Sequence, residues 1–525
     1  MSSKKVFIFD TTLRDGEQSA GVSFTLNQKL KIAEQLQALK VDVIEAGFPR
    51  TSPGDLEAVQ RVSREIRGCT ICALARCIKG DIETAWEGLK EAADPRIHVF
   101  INTSDIQIEN QLKKTREQVL EQAIESIRFA RKFVSNLEFS PMDATRSDPD
   151  FLCRIIEAAI ENGATTINVP DSVGYAIPSE HGKMFRDIME RVPNAHKAVF
   201  SCHAHNDLGL ASANALAAVQ NGARQVEGAI NGIGERAGNT ALEEVVMTLK
   251  THGEALNVFT DINTREFYRT SKLVERISGM PVQWNKANVG KNSFRHGSGI
   301  HQDGILKKRE TWEIIDPEEI GIPQGTQLVL GKLSGSHAFK DHIERLGFHL
   351  TEDQLKRAFD DFKHLADKKK QIDDRDLEAI VGQRTGEVFE PVWFLDHIHV
   401  ASGTHAIATA TIQMRNKEGN SFTDAATGDG PIDAICVAVN RVIGVNPSLI
   451  AYSVENVTEG IDAQGTVCVR IQDEQGKVYS AQAADTDVIV ASVNAYLNAV
   501  NRMLIVHSKN RAREQTAPST GTQDD

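Results

Sequence analysis

Through the first 260 residues, short runs rich in β-branched and aromatic residues alternate with stretches whose apolar positions recur at helical spacing, the pattern of parallel βα units. The strand-like runs begin at Val6 (VFIFD), Val41 (VDVIEAG), Thr70 (TICALAR), Arg96 (RIHVFINTS), Asn136 (NLEFSPMDA), Thr165 (TTINVPD), Ala198 (AVFSCHAH) and Gln225 (QVEGAING). Two of the following helices carry start signals: Asp148 caps one with Pro149 in its first turn, and NQKLKIAEQLQALK opens at Asn27. Eight units of about 30 residues each predict a closed (β/α)8 barrel over residues 5–268, an α/β fold whose chemistry sits at the C-terminal ends of its strands. Polar residues gather at those ends: Arg14, Asp15, Glu45, Arg76, Asn102 to Ser104, Asp171, Ser172, His203, His205 and the run Asn231 to Asn239.

Beyond the barrel this rhythm stops. Residues 269–390 read as a helical accessory region that opens with a loop rich in Gly and His, GKNSFRHGSGIHQDG. From 391 to 510 the texture changes again and repeats itself. The segment from Thr409 aligns with that from Thr466 at a constant offset of 57 residues, with Gly419 on Gly476, Phe422 on Tyr479 and Ile432 on Ile489. Each copy reads as two strands joined by a Gly turn and then a helix, so the pair predicts a pseudo-symmetric α+β domain. It carries no triad, metal cluster or phosphate loop, which points to binding or regulation rather than a second chemistry. Residues 511–525 are polar and read as a disordered tail.

Composition narrows the function classes. The 525 residues carry 59 Lys plus Arg against 72 Asp plus Glu, a formal net charge of -13, without the basic stripe that a phosphate backbone requires. Nucleic acid is therefore not expected as a partner. With 41% hydrophobic and 25% charged residues and no unbroken apolar run near the length of about 18 residues that a span needs, no membrane partner is expected either. The N-terminus lacks a secretory pattern, and seven cysteines, an odd number, argue for a reducing, cytoplasmic setting. Cys69, Cys72 and Cys77 lack a nearby fourth ligand and read as buried thiols rather than a zinc site.

Residues two apart on a strand face the same side, so His203 and His205 present both imidazoles to one point. With Asp15 and Asn239 at other strand ends they form a metal clamp. Nitrogen, carboxylate and amide ligands without thiolate suit Mn2+, Mg2+, Co2+ or Zn2+. Four protein ligands leave positions open for a 2-oxo acid, whose carbonyl the metal would polarise. Arg14, beside Asp15, would stabilise the alkoxide formed on addition. The GxGxxA match from Gly232 to Ala237 falls at the eighth strand, where a dinucleotide site is not expected.

FDTTLRDGEQ from Phe9, HAHND at His203, NGIGERAGN at Asn231 and SGIHQDG at Ser298 resemble the 2-isopropylmalate synthases, within the wider group of citramalate and homocitrate synthases and HMG-CoA lyases. The resemblance extends to GDGPIDA at Gly428 and ADTDVIVAS at Ala484, which look like the family's leucine-sensing domain. It implies condensation of acetyl-CoA with 2-oxoisovalerate to 2-isopropylmalate and CoA, the first committed step of leucine biosynthesis, by an acyltransferase that leucine inhibits. Asp15, His203, His205 and Asn239 match the family's metal positions, with Mn2+ the expected ion. Arg14 matches its oxyanion residue, and His98 a histidine lining the oxo-acid pocket. Ser172 stands where a threonine is usual and keeps the hydroxyl that binds the substrate carboxylate. His301 matches a histidine that the accessory region supplies across a dimer, so a homodimer or homotetramer is expected. Gly428, Gly430 and Asp485 fall in the regulatory motifs.

The chain also departs from the family pattern. Met142 stands at a usual glutamate and Trp312 at a usual tyrosine, and neither can exchange a proton near neutral pH. The acetyl-CoA step then falls to His301 with water, to Asp143 or Glu138 as substitutes, or is altered. GKLSGSHAF at Gly331 differs from the commoner GKHSGRHAF. Citramalate synthase, taking pyruvate, shares nearly all these motifs, and a catalytically altered paralogue is a further alternative. A lyase is disfavoured because NGIGERAGN lacks the cysteine that related lyases carry there.

Overall fold

Alternation along the fourth to eighth strands divides the barrel into an apolar outer row and a polar inner one, while Phe9, Val43 and Cys72 put apolar side chains on the inner side of the first three. The computed structural model describes residues 3–323, 325–346, 348–369, 372–385, 391–403, 406–456 and 465–516. The eight runs read as strands are strands: β1 (Phe7–Asp10), β2 (Val43–Glu45), β3 (Thr70–Arg76), β4 (Pro95–Asn102), β5 (Asn136–Met142), β6 (Thr166–Asp171), β7 (Val199–Ala204) and β8 (Gln225–Gly228). Each pairs in parallel with the next, and β1 closes the ring on β8 with Phe7 opposite Gln225. The predicted (β/α)8 barrel is thus the fold of this part of the chain.

Ile97, Val99, Leu137, Phe139, Ile167, Val169, Phe200 and Val226 pack into the main hydrophobic core and are essentially inaccessible. The alternate positions, His98, Glu138, Ser140, Asn168, Ser201, His203, Gln225 and Glu227, are equally buried but polar. Barrel interiors are usually filled by branched aliphatic layers, so this inner row is reserved for something else. The helix capped by Asp148 begins at Pro149, and the Asp148 carboxylate accepts from the Asp150 and Phe151 amides. The first helix starts at Leu26 rather than Asn27, because Thr25 and Gln28 form a reciprocal capping box.

Two compact units divide the chain: Met1–Phe294 with Ile314–Gly325, and Arg295–Glu313 with Thr326–Asp525. In the second, helices Gly299–Lys307, Ser336–Arg345, Glu352–Lys368 and Asp374–Thr385 realise the expected helical region, around a core that includes Phe339, Phe348 and Phe362.

The C-terminal repeat holds one strand more per copy than the sequence pattern predicts. One half is β9 (Trp393–Gly403), β10 (Ala406–Asn416), β11 (Ser421–Gly428) and helix Pro431–Ile443. The other is β12 (Ser448–Asn456), β13 (Gly465–Gln472), β14 (Val478–Asp485) and helix Val488–Thr516. Gly419 and Gly476, at φ 87° and 82°, make the equivalent hairpin turns and anchor the visible repeat. The leading strand of each half lacks such a turn before it, and β9 alternates only between half-buried and exposed positions. The last helix runs to Thr516, into the segment read as a disordered tail; residues 517–525 lie outside the described residues. Its stretch Val488–Ser508 is long and apolar enough to span a bilayer, yet Tyr496, Leu497, Val500 and Met503 are buried in the core of its own domain.

Candidate active site

The C-terminal mouth of the barrel is built by the loops that follow β1, β7 and β8. His203 is on β7, and His205 lies just past it, held by a bridge to Asn239 in the loop after β8. The Thr240 amide donates to Ala204 O at 3.0 Å and the Asn206 amide to Gly238 O at 2.9 Å. This backward pairing carries Asn239 to the histidines. The two Nε2 atoms are 3.2 Å apart, and Asp15 Oδ2 lies 4.0 Å from that of His203 and 3.9 Å from that of His205.

Several observations fit this cluster to a cation. His203 Nδ1 lies 2.9 Å from Glu227 Oε1, a carboxylate that favours a proton on Nδ1 and turns Nε2 toward Asp15. Asn239 Nδ2 donates to Asp15 Oδ1 at 2.9 Å and to Ile233 O at 3.0 Å. Asn239 Oδ1 then remains buried with no hydrogen-bond partner among the described residues, an arrangement that costs free energy unless something completes it. Burial opposes ionisation of Asp15, but Arg14 and the two imidazoles outweigh it and hold the carboxyl well below the usual carboxylate range. His205 is pushed down to about 4 by burial and by His203, so it presents a neutral imidazole. Gly234 completes the clamp: a Cβ there would stand 2.1 Å from Asn239 Nδ2.

Arg14 is fixed by three carboxylates. Its Nε donates to Glu45 at 2.6 Å, Nη1 to Asp15 at 2.5 Å and Nη2 to Glu227 at 2.9 Å. It is thus not the Arg of a single neighbouring pair, and it lines a cavity of about 390 Å³ together with Asp15, Leu74, His98, Phe100, Met142, Ser172, His203 and His205. His98 is locked from both sides, Nδ1 on Glu45 at 2.8 Å and Nε2 on Ser140 Oγ at 2.6 Å. Burial opposes its protonation, but the Glu45 carboxylate prevails and raises its pKa. Glu138 and Asp143, the possible substitutes for an acid or base, do not line the cavity. Glu138 pairs with Arg96 deeper in the barrel, and Asp143 is clamped by Arg146. Arg76 turns away onto Asp81.

In the second unit His301, on helix Gly299–Lys307, stacks on Trp312 with ring centroids 3.8 Å apart. Gly428 ends β11 and Gly430 caps the next helix, while Asp485 ends β14 and accepts from the Asp487 amide at 3.0 Å. These positions are therefore equivalent corners of the two halves. Sequence reasoning did not single out Glu227, Ser140 or Asn168. The available signal was polarity at alternate positions within otherwise apolar strands, QVEG above all.

Comparison with known proteins covers both units. The HMGL-like family model matches residues 5–274, the homocitrate synthase post-HMGL domain-like model 288–370, and the LeuA allosteric (dimerisation) domain 371–504. A 2-isopropylmalate synthase of Carboxydothermus hydrogenoformans is 55% identical, over 95% of this chain and 98% of its own length. Those of Pelotomaculum thermopropionicum and Thermosynechococcus vestitus are 51% and 53% identical, over 96% and 95% of this chain and 99% and 96% of theirs.

Proposed function

The chain belongs to the 2-isopropylmalate synthase family, and from that premise we infer that its barrel condenses acetyl-CoA with 2-oxoisovalerate and water, giving 2-isopropylmalate and CoA. The observation that carries the reading is the convergence of Asp15, His203 and His205 on one point beside the unpartnered Asn239 oxygen. These four residues would hold a divalent cation, Mn2+ before Mg2+, Co2+ or Zn2+, which supplies Lewis-acid polarisation of the oxo acid.

The remaining chemistry belongs to the chain's own side chains. Arg14 directs a rigid guanidinium at the oxygen on which negative charge develops. Ser172 donates to the acceptor's carboxylate, and His98 forms a fixed wall of the pocket. Loss of a methyl proton from acetyl-CoA gives an enolate whose carbon attacks the keto carbon, and the resulting alkoxide takes up a proton. Water then adds to the thioester and the CoA thiol leaves. With Met142 and Trp312 unable to exchange protons, His301 with water moves the methyl proton, supplied across a homodimer or homotetramer. Leucine binds the repeated domain around Gly428, Gly430 and Asp485 and inhibits. The enzyme works in the cytoplasm.

The test is release of CoA thiol from acetyl-CoA by chelator-treated protein, with a panel of 2-oxo acids and added Mn2+ or Mg2+. Metal-dependent release that prefers 2-oxoisovalerate is expected. Preference for pyruvate refutes the acceptor, and release that ignores both metal and His203→Ala refutes the site. Leucine should inhibit the full chain and not a truncation ending near Glu390.

A further inference from the structure

We propose that Asp143 is a positioning residue whose backbone amide directs the Ser172 hydroxyl proton into the acceptor pocket. The proposal rests on the reading of Ser172 as the group that holds the acceptor's carboxylate. Asp143 follows β5 and Ser172 follows β6, so neighbouring strands deliver them side by side. The Asp143 N–H donates to Ser172 Oγ at 2.9 Å, and Arg236 Nη2 donates to the Ser172 carbonyl at 3.0 Å. With that lone pair occupied, the hydroxyl proton must go to an acceptor. Among the described residues none takes it, and Ser172 lines the cavity.

The amide points there because Asp143 adopts φ 67°, ψ 39°, a left-handed conformation that disfavours most L-residues and that Asp and Asn tolerate better. What holds it is its own carboxylate, fully buried. Arg146 Nε donates to Oδ1 at 2.9 Å and Nη2 to Oδ2 at 2.7 Å, and Ser104 Oγ donates to Oδ2. A second brace ties the same two loops, Thr145 Oγ1 donating to Asp171 Oδ1 at 2.9 Å. Asp143 thus stands outside the cavity and touches the acceptor only through Ser172.

The experiment is a double-mutant cycle on the Mn2+-loaded full chain, reading KM for 2-oxoisovalerate, KM for acetyl-CoA and kcat separately. Ser172→Ala should raise KM for the oxo acid about tenfold, the loss of one hydrogen bond to a charged group, and leave KM for acetyl-CoA unchanged. Asp143→Ala should do the same in the wild-type background and add nothing in Ser172→Ala. Asp143→Asn keeps the left-handed backbone accessible and should recover most of the affinity. If Asp143→Ala does not fold, Arg146→Met, which frees the Asp143 carboxylate, takes its place: its rise in KM must then vanish in the Ser172→Ala background. An unchanged KM in Ser172→Ala refutes the carboxylate role of Ser172 and the proposal with it. A raised KM there, with Asp143 variants acting equally in both backgrounds or changing acetyl-CoA affinity alike, refutes the positioning role alone.

Discussion

Replacing Gly234 by alanine probes Asn239 as a metal ligand. Gly234 is not among the glycines with positive φ, so its backbone accepts an L-residue without strain. The added methyl, however, would lie 2.1 Å from Asn239 Nδ2 and 2.9 Å from Asp15 Oδ1. Carbon contacts settle near about 3.5–4.0 Å, so the Asn239 amide must retreat by more than about 1 Å. Coordination tolerates errors of only about 0.2 Å. Losing one ligand's geometry should therefore weaken Mn2+ binding by about 10–100-fold, or about 1.4–2.7 kcal/mol. In the metal-free fold the retreat of Asn239 from Asp15 and Ile233 should cost about 1–3 kcal/mol of overpacking, offset in part by the about 0.4–1 kcal/mol that alanine contributes by narrowing the unfolded ensemble. Calorimetric titration of chelator-treated protein with Mn2+ reads the first quantity, and thermal unfolding in EDTA the second. Unchanged Mn2+ affinity in a folded Gly234→Ala protein would refute the assignment of Asn239 as a ligand. A large loss of stability in EDTA would instead mean that Gly234 serves the loop and not the ion.

His181 is buried beside Phe185 with both ring nitrogens unpartnered among the described residues, and burial pushes its pKa down from 6.5 to about 4. As pH falls below 6.5 the unfolded chain takes up this proton first, so about 3 kcal/mol of stability present at neutral pH is lost progressively down to about pH 4. Urea unfolding across that range should show the loss in wild type and a smaller one in His181→Phe; equal slopes would rule it out. Arg502, on the last helix, pairs with Asp374 at 3.1 Å and Glu378 at 2.6 Å, so Arg502→Met removes both ion pairs, leaving Asp374 with His342 at 2.9 Å, and should cost about 1–3 kcal/mol. An unchanged thermal midpoint for the second unit would contradict that. Phe139→Ala, in the row between barrel and helices, should cost about 3–5 kcal/mol, measured as a shift of the urea midpoint.

The barrel was legible in the sequence because its two signals are local. Strand period and helix period alternate eight times, and the pair His203 and His205 declares a shared face by spacing alone. Asn239 is harder: nothing local sends it back to His205, and only the antiparallel bridge after β8 does so. Thr25 was passed over as a cap because the helical apolar pattern starts after it, although its pairing with Gln28 is a readable box. The leading strands β9 and β12 escaped because the repeat is anchored on Gly419 and Gly476, which join the second and third strands of each half. Asp143 was noticed as a carboxylate, whereas its position depends on φ, which a non-glycine residue does not advertise.

Charge explains why the inner row of the barrel is polar. Around the mouth, Asp15, Glu45 and Glu227 bring three buried carboxylates together, and Arg14 touches all three. Burying that much like charge is costly unless it is paired. Arg14 compensates one carboxylate, and His98 and His203, raised by Glu45 and by Glu227, compensate part of the other two. Below them Arg96, Glu138 and Gln225 close a separate network: Arg96 Nη1 donates to Glu138 at 2.9 Å and to Gln225 Oε1 at 2.8 Å, so it has no positive charge to spare. The excess negative charge therefore sits where the two imidazoles converge and where the Asn239 oxygen lacks a partner. A divalent cation at that point would neutralise the excess, satisfy the orphaned oxygen and leave Arg14 poised between fixed anions. Removing any one carboxylate should then weaken metal binding even when, as for Glu227, the residue is not itself a ligand.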